Sequence, residues 1–399
     1  MATSSSASGV SVPSAPGPVG HNIGVTAPQL PPPTRRERVR AALSRAVDDA
    51  QLARPRLALG SLALLCVMIL GGSLMPVPYV IEQPGPAIDV LGTYDDEQIL
   101  VIDGAETHPT EGSLMMTTVS VDGGPGYQVT PVEVAVSWFD RTRAVMPREL
   151  MFPDDQTREQ TTLTNTVQMN TSQQGAVAVA LGELGIDYEP VVLIAGIEQD
   201  APAEGTLEAG DVVLTVDGRD AADVPGAQQV IGEREPGQPI PMQVQREGEE
   251  LDLEVPSEEA DGRARMGVVL AEGYDFPMDV EITVGEIGGP SAGLMFSLSV
   301  YDELTPGALT GGHDIAGTGT LDIEGDVGSI GGIRQKLVGA HEAGAEFFLA
   351  PSVNCDQVVG FEPEGLEVVA VEDFDDALTA TETIAETGSI DGLPTCEDR

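Results

Sequence analysis

The segment AGTGTLDIEGDVGSIGGIRQKLVGAHEAGAEFFLAPSVN (316–354) contains Lys336, the only lysine among the 19 basic residues of this 399-residue chain. At 100° per residue, a helix starting near Ile333 divides into an apolar and a polar side. The apolar side carries Ile333, Lys336, Leu337, Ala340 and Ala343, and the polar side carries Arg334, Gln335 and Glu342. The pattern therefore predicts that the single lysine lies on the buried face of this helix.

A lysine on an apolar face calls for a chemical reason, because charged lysine is almost never left buried without a partner or a function. Burial disfavours the charged amine and lowers its pKa from about 10.4. A neutral amine can act as a base toward a serine hydroxyl, which arginine cannot do because it keeps its proton. The alternative is that Lys336 extends to solvent from the edge of the face.

The segment VEITVGEIGGPSAGLMFSLSVYDEL (280–304) predicts a strand, a flexible turn and then a helix that is apolar on nearly every side. Pro290 suits the first turn of that helix, and Ser291 stands at its N-terminus. The free N–H groups of a first helical turn could receive an oxyanion, so Ser291 is a candidate nucleophile. The alternative is a serine that only caps the helix.

Together, GGPSAGLMFSL (288–298) and the segment 316–354 resemble the proteolytic domain of the Lon peptidases, from about residue 280 to 375. The resemblance implies that Ser291 is the nucleophile and Lys336 the base, with Thr318 holding the lysine amine and Asn354 in a structural role. Many Lon enzymes carry an acidic residue three positions before the serine, where this chain has Gly288. The electrostatics around the serine are therefore expected to differ.

The run VVLIAGIEQDAPAEGTLEAGDVVLTVDGRD (191–220), followed by a helix and a strand pair, resembles a bacterial, protease-associated PDZ domain over residues 187–257. PDZ domains bind the C-terminus of a peptide as an added strand. By analogy the groove is expected near Pro190 to Gly196, with Val191, Val192, Leu193 and Ile194 as peptide-binding residues. The alternative is a PDZ domain that only serves as a packed spacer.

The formal net charge of −46 is unevenly distributed along the chain. Residues 1–56 are basic, and their first 33 residues are typical of a disordered tail. The strongly acidic remainder excludes nucleic acid as a plausible partner. Residues 57–81 carry no charge and predict a single transmembrane helix, and the arginines before it predict a type II orientation with the bulk of the chain outside the cytoplasm.

Three cysteines are present, and Cys66 lies inside the predicted transmembrane helix. Cys355 and Cys396 both lie in the part expected outside the cytoplasm, where disulfides persist. We expect a disulfide between them, with two free thiols as the alternative.

The predicted fold class is α+β: a transmembrane helix, a β-rich PDZ-like domain and a Lon-type proteolytic domain over residues 258–380, followed by a C-terminal tail, 381–399. Residues 82–186 contain a predicted strand at 112–121, expected to join the proteolytic sheet near 279–284, which makes the PDZ domain an insertion. The alternative is separate domains in series. The alternation in PVEVAVSWF (131–139) is typical of a strand.

The expected function is a membrane-anchored, ATP-independent serine endopeptidase that cleaves exposed or unfolded protein segments, with the PDZ domain selecting or gating substrates. A Walker A motif needs a lysine after glycine, and Lys336 follows Gln335. We expect no cofactor and no metal; the expected partners are protein or peptide substrates, the membrane and a possible second copy of the chain. One alternative is a catalytically silent PDZ scaffold, and another is an α/β-hydrolase that uses His313 or His341.

Overall fold

The computed structural model describes residues 34–73, 75–153, 156–246, 248–285 and 287–398. The chain divides into two units, one up to Leu70 and one from Gly71 onward. The predicted disordered tail lies outside the described residues.

The helices of the described residues are α1 (Arg35–Ser73), α2 (Pro131–Ser137), α3 (Arg158–Glu183), α4 (Val224–Glu233), α5 (Gly293–Leu304), α6 (Ile333–Ala343), α7 (Cys355–Val358) and α8 (Phe374–Thr387). The strands are β1 (Tyr79–Asp89), β2 (Thr93–Tyr94), β3 (Glu97–Gln98), β4 (Leu100–Asp103), β5 (Ser113–Asp122), β6 (Ala144–Pro147), β7 (Glu189–Ile197), β8 (Val212–Val216), β9 (Arg219–Asp220), β10 (Ile240–Arg246), β11 (Glu249–Val255), β12 (Glu258–Ala260), β13 (Arg263–Arg265), β14 (Val268–Asp275), β15 (Asp279–Ile282), β16 (Asp314–Gly317), β17 (Thr320–Leu321), β18 (Val327–Gly328), β19 (Phe347–Pro351) and β20 (Glu367–Val371).

The N-terminal helix differs from the predicted transmembrane segment, 57–81. Helix α1 ends at Ser73, and the last residues of the predicted segment belong to strand β1, which starts at Tyr79. The predicted helix is therefore too long at its C-terminal end, because Tyr79, Val80 and Ile81 pair with β6 or β5 instead. Across the residues that the structure describes, we find no helix with the combined length and apolar character needed to cross a membrane.

The central sheet of the second unit has six strands in the order β20-β19-β16-β5-β1-β6. Strand β5 is parallel to β16, which continues in parallel into β19 and β20, whereas β1 is antiparallel to β5. The sheet thus combines strands from before and after the PDZ-like segment. The predicted neighbour of β5 lies elsewhere, because β15 pairs with β4.

The two faces of this sheet are covered by different helices. Met116 packs into a core with residues of α3, α5 and α8. The preceding residue of β5, Met115, points to the opposite face of the sheet and packs with Ile333 and Leu337 of α6. Helix α5 is buried on nearly every side, as its sequence predicts. The sheet therefore separates α5 from α6, and both helices begin near its centre.

The PDZ-like part is a second sheet in the order β11-β10-β8-β7-β14, with β9 beside β8. Its core is separate from that of the central sheet and includes Val192, Ile194, Val213, Ile240 and Val244. The chain enters this sheet after α3 and returns through β14 into β15. The PDZ-like part therefore stands between two elements that serve the central sheet.

The prediction of a strand at 131–139 is wrong, since residues 131–137 form helix α2. Thr130 caps the helix, and its backbone N–H donates to the carboxylate of Glu133 at 2.6 Å. Pro131 occupies the first turn, where its fixed φ favours a helix. This capping box outweighs the alternation of apolar residues.

A disulfide joins Cys355 at the start of α7 to Cys396 near the C-terminus. Both cysteines are buried in the core beneath α6. Residues 381–399, predicted as a tail, thus include the end of α8 and a segment tied to that core.

We expect a fragment of residues 260–399 to fail to fold, because it lacks β1, β5 and β6 and exposes the edge of β16. Circular dichroism and thermal unfolding would test this. Residues 71–399, which retain every strand of the sheet, are the control and should unfold cooperatively. A cooperative transition in the shorter fragment would contradict the expectation.

Candidate active site

Ser291 lies on the loop that leads from β15 into α5. The helix begins at Gly293 with Ala292 as its N-cap, so Ser291 comes just before the cap, and Pro290 lies outside the first turn in which it was predicted. The side of the loop toward the helix carries the N–H groups of the first turn, of which that of Leu294 donates to the carbonyl of Gly319 at 3.3 Å. Ser291 is half-buried, while Ala292 and Gly293 are buried.

Helix α3 holds this loop in place. The backbone N–H of Gly289 donates to the carbonyl of Asn165 at 3.2 Å, and the hydroxyl of Ser172 donates to the carbonyl of Pro290 at 3.1 Å. A Cβ at Gly288 would lie 2.6 Å from Cβ of Asn165. The position where many Lon enzymes carry an acid is thus packed against α3, which leaves no room for a larger side chain. Sequence reasoning missed Asn165 and Ser172, since no local pattern marks them.

The structure brings Ser291, Lys336 and Thr318 together. Lys336 Nζ lies 2.7 Å from Ser291 Oγ and 2.7 Å from Thr318 Oγ1. The Thr318 hydroxyl donates to the backbone carbonyl of Ser291 at 2.9 Å. The amine is therefore held between the hydroxyls of Ser291 and Thr318. The Thr318 hydroxyl is in turn fixed by the backbone of the loop that carries Ser291.

Burial controls the charge of this amine. Lys336 is 2 % exposed. Desolvation by the surrounding protein lowers the pKa of Lys336 from 10.5 to about 7. At neutral pH a large share of the amine is then unprotonated and has a lone pair to offer to the serine hydroxyl.

Helix α6 is positioned by its first residues. Its N-cap Gly332 has φ of 68°, and a Cβ there would lie 2.6 Å from Cγ1 of Val119 on β5. Only glycine combines this conformation with so close a contact. Asn354 holds the preceding loop through both backbone groups of Ile330, at 3.0 and 2.9 Å. Its role in the structure is thus to position the start of α6.

The predicted division of α6 into two sides holds for most residues but not for two of them. Ala343 is exposed, and Gln335 is 4 % exposed with its amide donating to the carbonyl of Thr142 at 3.2 Å. The partner of Gln335 lies far away in sequence, which explains why the helical pattern alone misplaces it.

A cleft of about 1040 Å³ opens beside Ser291 and Lys336. One wall is the second half of β5, residues 117–122, where pairing with β16 has ended at Met116. The opposite wall is the first half of α3, including Asn165. An extended peptide could therefore lie along an unpaired strand edge and present a peptide bond to the serine.

The four residues predicted to bind peptide, Val191 to Ile194, lie in β7 at the centre of the PDZ-like sheet. Strand β7 pairs with β14 on one side and with β8 on the other. Three of the four, Val192, Leu193 and Ile194, are almost fully buried. The structure does not bring them to an open edge, since the edge strands of this sheet are β11 and β14.

The histidines required by the α/β-hydrolase alternative lie elsewhere. The ring of His313 contacts the carboxylate of Glu346 at 2.7 Å, and His341 is exposed on α6. Lys336 is the basic group that contacts Ser291.

Comparison with known proteins agrees with this geometry. Residues 277–382 match the Lon protease (S16) C-terminal proteolytic domain, and residues 166–256 match the PDZ domain family. Lon protease 2 of Herpetosiphon aurantiacus is 38 % identical over 108 residues, which cover 25 % of this chain and 13 % of that protein. The Lon protease of Campylobacter concisus is 35 % identical over 109 residues, covering 26 % of this chain and 13 % of that protein.

Among solved structures, the PDZ domain of an SdrC-like protein from Listeria monocytogenes covers 21 % of this chain and 90 % of its own, with 18 % identity and a TM-score of 0.19. The domain matches and the Lon relatives together support a Lon-type serine peptidase domain, accompanied by a PDZ domain. The chain spans about an eighth of the length of these two Lon relatives.

We expect the reactivity of Ser291 to rise with pH, with a midpoint near the Lys336 pKa of about 7. The neutral amine accepts the serine proton, and its population increases as pH passes the pKa. The rate of labelling by a fluorophosphonate probe measures this. Lys336→Arg should reduce the rate by about 10²–10⁴, the usual contribution of a general base, because guanidinium stays charged.

Lys336→Met, which keeps most of the side-chain volume without an amine, serves as the matched variant and should be equally slow. Labelling of Lys336→Arg at the wild-type rate would contradict the assignment.

Proposed function

We propose that this protein is an ATP-independent serine endopeptidase in which Ser291 is the nucleophile and Lys336 the general base. The observation that carries the proposal is the distance of 2.7 Å between Lys336 Nζ and Ser291 Oγ in a position that is almost fully buried. This arrangement supplies a nucleophile, a base whose pKa lies near neutrality, and an adjacent hydroxyl that orients the base.

In the first step the neutral amine of Lys336 takes the proton of Ser291, and Oγ attacks the carbonyl carbon of the scissile bond. The backbone N–H groups of Ala292 and Gly293, at the start of α5, would receive the developing negative charge, since the N–H of Leu294 already donates to Gly319. The ammonium then gives its proton to the leaving amine, and an acyl-enzyme remains. A water molecule, deprotonated by Lys336, then attacks the ester carbon. The bond to Ser291 Oγ breaks, the carboxylic acid product leaves, and the Lys336 ammonium returns its proton to Oγ. Thr318 orients the amine throughout.

The substrate would bind as an extended segment along residues 117–122 of β5, which supports cleavage of exposed or unfolded segments. The chain's single lysine is committed to Ser291, and no Walker A motif is present in the sequence. ATP-driven unfolding by the chain itself is therefore not part of the proposal.

Peptide selection by the PDZ domain would use the open edge of β14, beside which α4 packs. Helix α3 offers a path from that edge to the serine loop. The amide of Asn170 donates to the carbonyl of Ala195 at 3.0 Å, and Gln174 accepts from the N–H of Tyr274 at 3.1 Å. The same helix bonds to the loop before Ser291. An occupied groove could thus shift the serine loop through α3.

We expect Ser291→Ala to abolish cleavage of an unfolded protein such as reduced casein, while leaving the fold intact. Gel electrophoresis and mass spectrometry would follow cleavage, and thermal unfolding would check the fold. Ser297→Ala, on the same helix but buried away from the cleft, is the control and should retain activity. Undiminished cleavage by Ser291→Ala would refute the proposal, and an inactive wild-type protein would favour the silent scaffold.

We also propose that residues 57–73, the uncharged part of α1, anchor the protein in the cell membrane in a type II orientation. The segment carries no charge and follows a cluster of arginines. Its large apolar side chains are exposed: Leu59, Leu62, Leu64, Leu65, Val67, Met68, Ile69 and Leu70.

If the anchor exists, the protein should stay in the membrane pellet after alkaline carbonate extraction. Added protease should release the part of the chain after the anchor from intact cells while sparing an N-terminal tag. Deletion of residues 1–70, which leaves strand β1 whole, should move the protein to the soluble fraction. Extraction of the full chain by carbonate would contradict the anchor.

A further inference from the structure

The cleft contains a carboxylate that the proposed reaction does not use. Glu82 on β1 lines the cleft together with Ser291 and Lys336, yet the residue is only 6 % exposed. Its partners across the sheet are Val121 of β5 and Ala144 of β6, neither of which carries a charge.

Within the described part of the chain, no hydrogen bond or ion pair to the carboxylate of Glu82 is found. The carboxylate oxygens are also not fully enclosed by protein. They are therefore reachable from the cleft. Burial raises the pKa of Glu82, with no compensating contact. A buried carboxylate without a partner is costly, and a cation would offset this cost.

The other charged groups of the cleft leave Glu82 free for a ligand. Asp122 accepts from the amide of Gln83 and is half-buried, and Arg158 is exposed at the start of α3. Lys336 is committed to Ser291 and Thr318.

The register of β5 gives the position of Glu82 along a bound peptide. Along β5, Thr117 lies beside the Ser291–Lys336 pair. Its hydroxyl donates to the carbonyl of Gly317, the residue before Thr318. Val121, opposite Glu82, lies four residues further along β5. At about 3.3 Å per residue this is roughly 13 Å. Strand β5 lies between this open edge and β1, so a peptide that runs antiparallel to β5 has its N-terminal side level with Glu82, and a side chain must cross Val121 to reach the carboxylate.

We propose that Glu82 is a specificity-determining residue that binds a lysine or arginine side chain of the substrate, three or four residues before the scissile bond. A long basic side chain can reach a recessed carboxylate and form a charge-assisted hydrogen bond there. This inference rests on the proposed peptidase function, and it names the class of segment that the cleft prefers.

The test measures binding without cleavage, in full-length Ser291→Ala protein. The probes are fluorescent unstructured peptides with a single lysine in an otherwise neutral sequence, and the same peptides with acetyl-lysine, which keeps the shape without the charge. We expect the lysine peptides to bind about tenfold more tightly by fluorescence anisotropy, and Glu82→Gln to reduce this preference to less than about twofold.

Glu111→Gln is the matched control, since it removes the same charge from an exposed glutamate just before β5 and outside the cleft. It should keep the tenfold preference. An equal loss in Glu111→Gln would attribute the preference to the overall negative charge and overturn the proposal, as would an unchanged preference in Glu82→Gln.

Glu82→Asp, which keeps the charge, should retain part of the preference for lysine peptides. It is the control for the case in which Glu82→Gln fails to fold. In wild-type protein, mapped cleavage sites should carry lysine or arginine three or four residues before the cut. If the wild type cleaves nothing, the peptidase function fails, while the binding result still decides the role of Glu82.

Discussion

The burial of one amine is the constraint on which the rest of the site depends. Lys336 can act as a base near neutral pH only while water is kept from its Nζ and hydroxyls replace the lost hydration. Helix α6 must therefore press its apolar face onto the sheet, and Gly332 allows this contact by its left-handed conformation. A small displacement of α6 would admit water and raise the pKa again.

The topology makes this burial a property of the whole unit and not of one segment. Strands β1 and β5, which contact α6, come from before the PDZ domain, whereas Ser291, Thr318 and Lys336 come after it. Helix α3 contacts the PDZ sheet on one side and the serine loop on the other. The reactive arrangement thus forms only when the chain has closed around the inserted domain, which ties the PDZ domain to the site.

The parts of the site that depend on local sequence could be predicted, and those that depend on distant contacts could not. The helical period placed Lys336 on a buried face, and the family motif pointed to Ser291 and Thr318. Neither the helical period nor the family motif indicates that Gln335 is buried, because its hydrogen-bond partner, Thr142, is 193 positions away. Glu82 was missed for the same reason, because a single glutamate in an acidic chain gives no signal until the fold buries it.

The fold shows the same division. Alternation at 131–139 suggested a strand, but a capping box and a proline at the first turn act over three residues and decide in favour of a helix. The end of α1 was misplaced because pairing of β1 with β5 and β6 overrides the apolar character of Tyr79 to Ile81. Long-range pairing, rather than propensity, sets these boundaries.

The replacement of an acid by Gly288 connects the local packing to the chemistry. An acidic group near the amine would favour its charged form and raise its pKa. Here Asn165 fills the space beside Gly288, and the only cause that shifts the pKa of Lys336 is desolvation, which acts in the opposite direction. The absence of the acid therefore agrees with the proposed role of Lys336 as a base: with no carboxylate to stabilise the ammonium, burial lowers the pKa of Lys336 to about 7.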